Sequence, residues 1–354
     1  MVELNSLERI MKAISLEETD CLPVAPYMGN YGAKLAGVAL GKYCCDGQVM
    51  AEAQYEAWKI LGQDVVVVQS DNYYIAEGFG ATVQHYPDST PTLAKPAVYD
   101  LKDIEKLKVP NPHQDGRMPV YIKAVDLLAA RLKDRVAIRA CGTGPFSLAG
   151  HLLGVEKFLL DLAMAQMEPE SENARLLRKL MELTTEALFQ LAKAELDAGA
   201  HIVQAGDSLA STDVISPAMY RDWVFPYEKD FFTRINDYAQ EKGAASLLHI
   251  CGNTSKILSG MAETGAKIIE LDHKVSLPEA KKRIGDQVCL MGNLDPTSVL
   301  LAGSPQKVTG AAQECIEIAA KGGGYILGSG CEVAVNTPLE NMVAMIAAAR
   351  NFCY

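Results

Sequence analysis

Residues 246–251 read Ser246-Leu247-Leu248-His249-Ile250-Cys251, a short apolar run that flows into a metal-binding pair. Side chains alternate across a strand, so His249 and Cys251 project from the same side. The run Tyr325-Ile326-Leu327-Gly328-Ser329-Gly330 has the same form and delivers Cys331 from its end. One imidazole and two thiolates with a fourth position left open is the ligand set of a catalytic zinc site. A closed structural site needs a fourth protein ligand, and no local Cys-x-x-Cys or His-x-x-x-His supplies one. With nine Cys and six His in the chain, a His-x-Cys can arise by chance, and a free Cys is often a small buried hydrophobe. What gives the three residues weight is where they fall in the fold.

Working outward from 246–250, runs of the same kind recur at 22–27, 64–69, 135–141, 201–205, 267–271, 288–292 and 325–328. Amphipathic segments lie between most of them, among them 50–61, 171–198, 217–242 and 305–320. Strand then helix, eight times, predicts an α/β fold of the (β/α)8 TIM-barrel type. An open doubly wound sheet also alternates strand and helix. It ranks second because no glycine-rich phosphate fingerprint follows the first run. The reading is a single barrel domain over 1–354, with an insertion at about 70–134 marked by Pro87, Pro91, Pro96, Pro110 and Pro112. Active sites sit at the C-terminal ends of barrel strands. Those ends carry Tyr27, Asn30 and Tyr31; Asp71, Asn72, Tyr73 and Tyr74; Phe146; Asp207; His249 and Cys251; Asp272; Asn293; and Cys331. Three soft ligands arriving independently at one face favour zinc.

With 354 residues, 49% of them apolar, the chain can bury a large core. A net charge of −11 and the lack of a basic patch argue against nucleic acid as a partner. No apolar stretch approaches the ~20 residues of a membrane span, and the polar N-terminus does not read as a signal peptide. Nine scattered cysteines in a chain of this length suit a reducing cytoplasm.

Several stretches resemble the uroporphyrinogen decarboxylase superfamily: 206–217, Leu248-His-Ile-Cys-Gly-Asn253, Gly292-Asn-Leu-Asp-Pro296, Gly328-Ser-Gly-Cys-Glu332 and Asn336-Thr-Pro-Leu-Glu-Asn341. The resemblance covers nearly the whole chain. Within that superfamily, His-x-Cys…Cys marks the zinc methyltransferases that work with corrinoid proteins. These include methylcobamide:coenzyme M methyltransferases and the methyltransferases of O-demethylase systems. The true decarboxylases carry an arginine-rich N-terminal signature that grips carboxylates. Here 23–32 reads Pro-Val-Ala-Pro-Tyr-Met-Gly-Asn-Tyr-Gly, with no arginine. The resemblance therefore implies a zinc enzyme (His249, Cys251, Cys331) that moves a methyl group to or from the cobalt of a corrinoid (cobalamin) carried by a partner protein.

Two substrate classes remain. Coenzyme M is a thiol with a sulfonate tail and calls for a cation; Lys274 and Arg139 are the nearest candidates. The strand ends are richer in aromatics: Tyr27, Tyr31, Tyr73, Tyr74, Phe79 and Phe146. An aromatic pocket, completed by Asp71, Asn72 and Asn293, suits a methyl ether such as a methoxyarene, and this is the preferred reading. The alternatives are a thiol acceptor, a metal-free decarboxylase and a non-catalytic binding protein. Asp207 reads equally as a substrate or supporting carboxylate and as a cap in the turn Gly-Asp-Ser. Glu332 reads as a loop residue and His151 as structural. The adjacent Cys44 and Cys45 point different ways and are not expected to chelate together.

Overall fold

The computed structural model describes residues 3–354. Nine strands are present among the described residues: β1 (Val65–Val68), β2 (Thr82–Tyr86), β3 (Ser89–Lys95), β4 (Ala137–Thr143), β5 (Ile202–Gly206), β6 (Ala245–His249), β7 (Ile268–Glu270), β8 (Cys289–Leu294) and β9 (Tyr325–Ser329). Seven of them form one parallel sheet in the order β1-β4-β5-β6-β7-β8-β9. The eighth expected run, 22–27, fills the seam between β9 and β1. There it makes a single parallel bridge, Val24 to Leu327. Two backbone bonds hold it to β9, Ala25 N to Leu327 O (2.8 Å) and Leu327 N to Pro23 O (2.9 Å), and one holds it to β1, Asp64 N to Val24 O (2.9 Å). This stave is reduced to a bridge because Pro23 and Pro26 have no N–H to give to a ladder. The result is a closed (β/α)8 barrel.

Both faces of the sheet are buried, which is why its strands read as nearly continuous apolar runs. Val66, Val68, Ile138, Ala140, Val203, Leu248, Ile269, Leu290 and Leu327 face the helices. Val65, Val67, Ala137, Ile202, Leu247, Ile268, Cys289 and Ile326 fill the barrel, where Ile10 and Ala13 of the helix Ser6–Ile14 join them. That helix closes the end opposite the ligands: Leu7 N donates to Arg135 O, just ahead of β4 (3.3 Å).

The long helices start and stop where local chemistry dictates. Asp46 accepts from Gln48 N and Val49 N to open Gly47–Leu61, and Gly62 closes it at φ 69°. Ser171 caps the 26-residue helix Glu172–Asp197. The expected helix 217–242 contains a wide π turn over Tyr220–Val224 before it resumes as Phe225–Glu241. Pro226 lies at that junction and cannot donate to the carbonyl one α-turn back. No helix of the described residues is long and apolar enough to cross a membrane.

The segment between β1 and β4 holds short helices at Tyr74–Gly78 and Leu101–Lys106, the antiparallel hairpin β2–β3, and the helix Met118–Leu132. The prolines marked this insertion in the sequence, but nothing there announced the hairpin. Its residues are mostly exposed and polar, so no apolar alternation announces it.

One buried carboxylate locks the seam. Asp64 is fully buried and accepts Val24 N (2.8 Å), Arg9 Nη1 (2.8 Å) and both terminal nitrogens of Arg350 (2.8 Å each). It thereby joins the seam to the first and last helices. Removing one member of a buried ionic group leaves the others uncompensated, so Asp64→Ala is expected to cost about 3–5 kcal/mol in denaturant unfolding.

Candidate metal centre

The strand register delivers the ligands. His249 is the last residue of β6, pairs with Glu270 of β7, and points inward like Leu247 two residues before it. Ile250 turns outward into the helix-facing core, and Cys251 returns to the His249 side. Gly252 then bends the chain away at φ 83°, its N–H held by Asp272 Oδ2 at 2.7 Å. On the facing strand Gly330 places Cys331. A Cβ at Gly330 would lie 2.4 Å from His273 N, so only glycine allows this approach.

One ligand atom from each of His249, Cys251 and Cys331 lies within 4.8 Å of the others. His249 Nε2 stands 3.0 Å from Cys251 Sγ, and Cys251 Sγ stands 3.5 Å from Cys331 Sγ. Edges of a tetrahedral zinc site with ordinary Zn–S and Zn–N bonds run about 3.5–3.8 Å. The donor chemistry fits zinc; the Cys251–Cys331 edge has this length, and the His249–Cys251 edge is about 0.5 Å shorter. His249 is buried, and the two cysteines are half-exposed, which leaves one side of the set accessible. The Cys251 thiol is lowered, first by a hydrogen bond from Cys331, and Ser208 Oγ also donates to it at 3.4 Å. As the donor of that bond, and by burial, the Cys331 thiol is raised.

Behind the ligands lies a charged chain. His249 Nδ1 is 3.0 Å from Glu270 Oε2, and Arg139 grips the same carboxylate with two bonds of 2.6 and 2.7 Å. Arg139 Nε donates to Gln204 Oε1 at 2.7 Å, and the guanidinium lies 4.3 Å from the centre of the Tyr27 ring. Arg139, Glu270 and His249 are all but inaccessible. Burial, the largest single effect, lowers the His249 pKa, but the Glu270 carboxylate and Cys331 together outweigh it and the net shift is upward. Burial likewise raises Glu270, and Arg139 followed by His249 turns the net shift downward. A proton on Nδ1 facing Glu270 leaves the Nε2 lone pair toward the thiols, the tautomer a metal needs. Sequence reading missed Glu270. The signal was a glutamate inside the apolar run Lys-Ile-Ile-Glu-Leu, since a carboxylate in a strand buried on both faces must have a partner.

The remaining expected site residues divide into two groups. Tyr27 is buried edge-on to His249, ring centres 6.1 Å apart. Asn293 is half-buried and donates to the carbonyls of Asp272 and Val275, bracing the loop that holds Gly252. Asp207 is fully buried, with its oxygens taken by Phe146 N (3.1 Å) and Ser147 N (2.6 Å). Its own N–H donates to His249 O at 2.8 Å. Asp207 makes no cap in its own turn; its carboxylate holds the first turn of the helix Pro145–Leu153 against the strand that carries His249. Tyr31, Tyr74, Phe79 and Phe146 lie in the packed core and do not line an open mouth. Tyr74 stacks on Tyr121, and Phe146 meets Phe158 edge-on. Asp71 is buried in a bidentate pair with Arg117 (2.7 and 2.8 Å). Asn72 is exposed, and Tyr73 is half-buried against His151, ring centres 4.9 Å apart. Glu332, read as a loop residue, holds Asn30 through its backbone and side-chain nitrogens, both at 2.9 Å. The two cations considered for a sulfonate are committed: Arg139 to Glu270, and the exposed Lys274 to Asp213.

The uroporphyrinogen decarboxylase (URO-D) family model matches residues 5–352. The chain belongs to that family. It is 27% identical to the methylcobamide:CoM methyltransferase MtbA of Methanosarcina acetivorans, covering 100% of both. Similarity to a methylated-thiol–coenzyme M methyltransferase of Methanosarcina mazei is 27%, over 98% of this chain and 90% of that one. A uroporphyrinogen decarboxylase of Carboxydothermus hydrogenoformans is 28% identical over 94% and 93%. Among solved structures, a methyltransferase from Methanosarcina mazei superposes with a TM-score of 0.87 at 26% identity, covering 98% of each chain.

Two outcomes are expected. Purified protein should carry about one zinc per chain, lost in Cys251→Ala or Cys331→Ala, while Glu270→Gln should weaken zinc about 10–100-fold in chelator competition. Burial also pushes Asp207 up to about 6. The raised pKa means its contribution to stability is complete below the unfolded value of about 3.9 and is lost as pH rises through about 6, a change on the order of 2–3 kcal/mol. Unfolding free energies followed across that window should show this component in the native protein and not in Asp207→Asn.

Proposed function

We propose that this corrinoid-dependent methyltransferase moves a methyl group between the cobalt of a separate corrinoid protein and a thiol, using zinc bound by His249, Cys251 and Cys331. The observation that carries the reading is the convergence of those three ligand atoms within 4.8 Å at the C-terminal ends of barrel strands. The relatives named for methylcobamide:CoM and methylated-thiol transfer support the thiol. Zinc in this set supplies Lewis acidity that deprotonates a bound thiol at neutral pH.

The chain's own residues do the rest. Glu270 keeps the proton of His249 on Nδ1, so Nε2 faces outward as a donor. Arg139 keeps Glu270 ionised and in place. Ser208 donates to Cys251 and holds that sulfur toward the site. The commitments of Arg139 and Lys274 leave the acceptor's tail without either cation expected for it. We infer that thiols with and without a sulfonate are accepted within about tenfold of each other in kcat/KM, a span of about 1.4 kcal/mol.

The methyl-ether direction stands second. Of the six aromatics that favoured it, Tyr73 alone is not packed into the core. We also propose a single barrel domain with its insertion at about 70–134, and a cytoplasmic setting in keeping with nine free cysteines.

The deciding experiment presents zinc-loaded protein with methylcobalamin and a panel of thiols, and with cob(I)alamin and a panel of methoxyarenes. Thiol methylation is expected, with an added zinc–sulfur contact in X-ray absorption when the thiol binds. Demethylation of an ether with no thiol methylated would replace this reading by the second.

A further inference from the structure

A second reactive cluster lies outside the metal centre, in the segment between β1 and β4. Cys45 is exposed, and its Sγ is 3.5 Å from His85 Nδ1 on the hairpin strand β2. The other ring nitrogen, His85 Nε2, is 3.3 Å from Glu77 Oε1 on the helix Tyr74–Gly78. Glu77 is fixed in turn: its Oε2 accepts Arg117 Nε at 2.6 Å, and Arg117 is pinned by Asp71 and by the carbonyl of Cys44. The order is thiol, imidazole, carboxylate, with the carboxylate held from behind. This is the arrangement by which a histidine activates a cysteine: the carboxylate fixes an Nε2–H tautomer and leaves Nδ1 free to accept the thiol proton.

We propose that Cys45 is a thiol–disulfide exchange site for low-molecular-weight disulfides, with His85 as its base and Glu77 as the residue that orients His85. The Cys45 thiolate attacks one sulfur of R–S–S–R. A Cys45–S–S–R bond forms and the original S–S bond breaks. The departing thiolate takes the proton that His85 received from Cys45, so one R–SH is released for each mixed disulfide made.

The surroundings make His85 necessary. Three charged groups act on Cys45: Arg117, Glu77 from the helix, and Asp71 from the end of β1; Asp46, next in sequence, turns its carboxylate to Gln48 N and Val49 N. Burial raises the thiol, Arg117 opposes this, and Glu77 and Asp71 add to it. Ionisation at neutral pH then depends on proton transfer to the imidazole. Adjacent Cys44 is buried and raised to about 12, so Cys45 reacts without an accessible neighbouring thiol to resolve the product.

The test uses full-length zinc-loaded protein and the neutral probe hydroxyethyl disulfide, with mixed disulfides quantified by mass spectrometry peptide by peptide. Cys353 is also exposed and serves as the internal reference. Cys45 should react about tenfold or more faster than Cys353 at neutral pH. Its rate should fall less steeply than that of Cys353 as pH drops below neutral, because the proton passes to His85 and not to water. His85→Ala, a change on an exposed hairpin, should reduce Cys45 to the Cys353 rate and restore the steep pH dependence of an ordinary thiol. Glu77→Gln should lose part of the advantage while keeping its bond to Arg117. Equal rates for Cys45 and Cys353 in the native protein, or an unchanged Cys45 rate in His85→Ala, would overturn the proposal.

Discussion

The centre depends on a buried ionic chain, Arg139 to Glu270 to His249. A guanidinium and a carboxylate removed from water cost several kcal/mol each to desolvate, and their attraction offsets this only when the geometry is good and the remaining donors are satisfied. Here Gln204 takes the Arg139 Nε–H, the Tyr27 ring covers the cation, and both carboxylate oxygens are used. Such a group contributes little net stability. It specifies one orientation of one imidazole, and the ligand geometry rests on that orientation.

The chain also marks a change of layer inside the barrel. Lower inward positions are Val67, Ala137, Ile202, Leu247, Ile268 and Cys289, an ordinary apolar filling. Two residues further along their strands come Gln69, Arg139, Gln204, His249 and Glu270, with Met291 the one apolar member. The interior turns polar one pleat below its mouth. The half-exposed thiols thus stand on a rigid floor of fixed charge, a better foundation for a metal than loops alone.

How much of this was legible follows from what sequence periodicity can carry. Period-two alternation placed His249 and Cys251 on one side of a strand, and the recurrence of apolar runs gave the barrel. Cys331 needed only its position after the last run. The aromatic mouth failed because a ring near a strand end reads the same whether it faces solvent or packs beneath a helix, and Tyr31, Tyr74 and Phe146 pack. The hairpin β2–β3 was invisible because it buries little. Glu270 and Arg139 were in plain view as charges inside apolar strands, but pairing them requires knowing that β4 and β7 face each other across the barrel.

The seam has a consequence of its own. Seven staves are held by continuous ladders, whereas 22–27 is held by one bridge, a few backbone bonds and the Asp64 side chain. Local opening takes the route with the fewest bonds to break, so the amides of this stave should exchange with deuterated solvent before those of its neighbours. Tyr27, whose ring covers the Arg139 guanidinium, sits at the end of that stave. Each opening of the seam would lift an apolar lid from the buried cation and admit water beside it. The barrel's most yielding strand is thereby the one that sets the polarity around the group orienting His249.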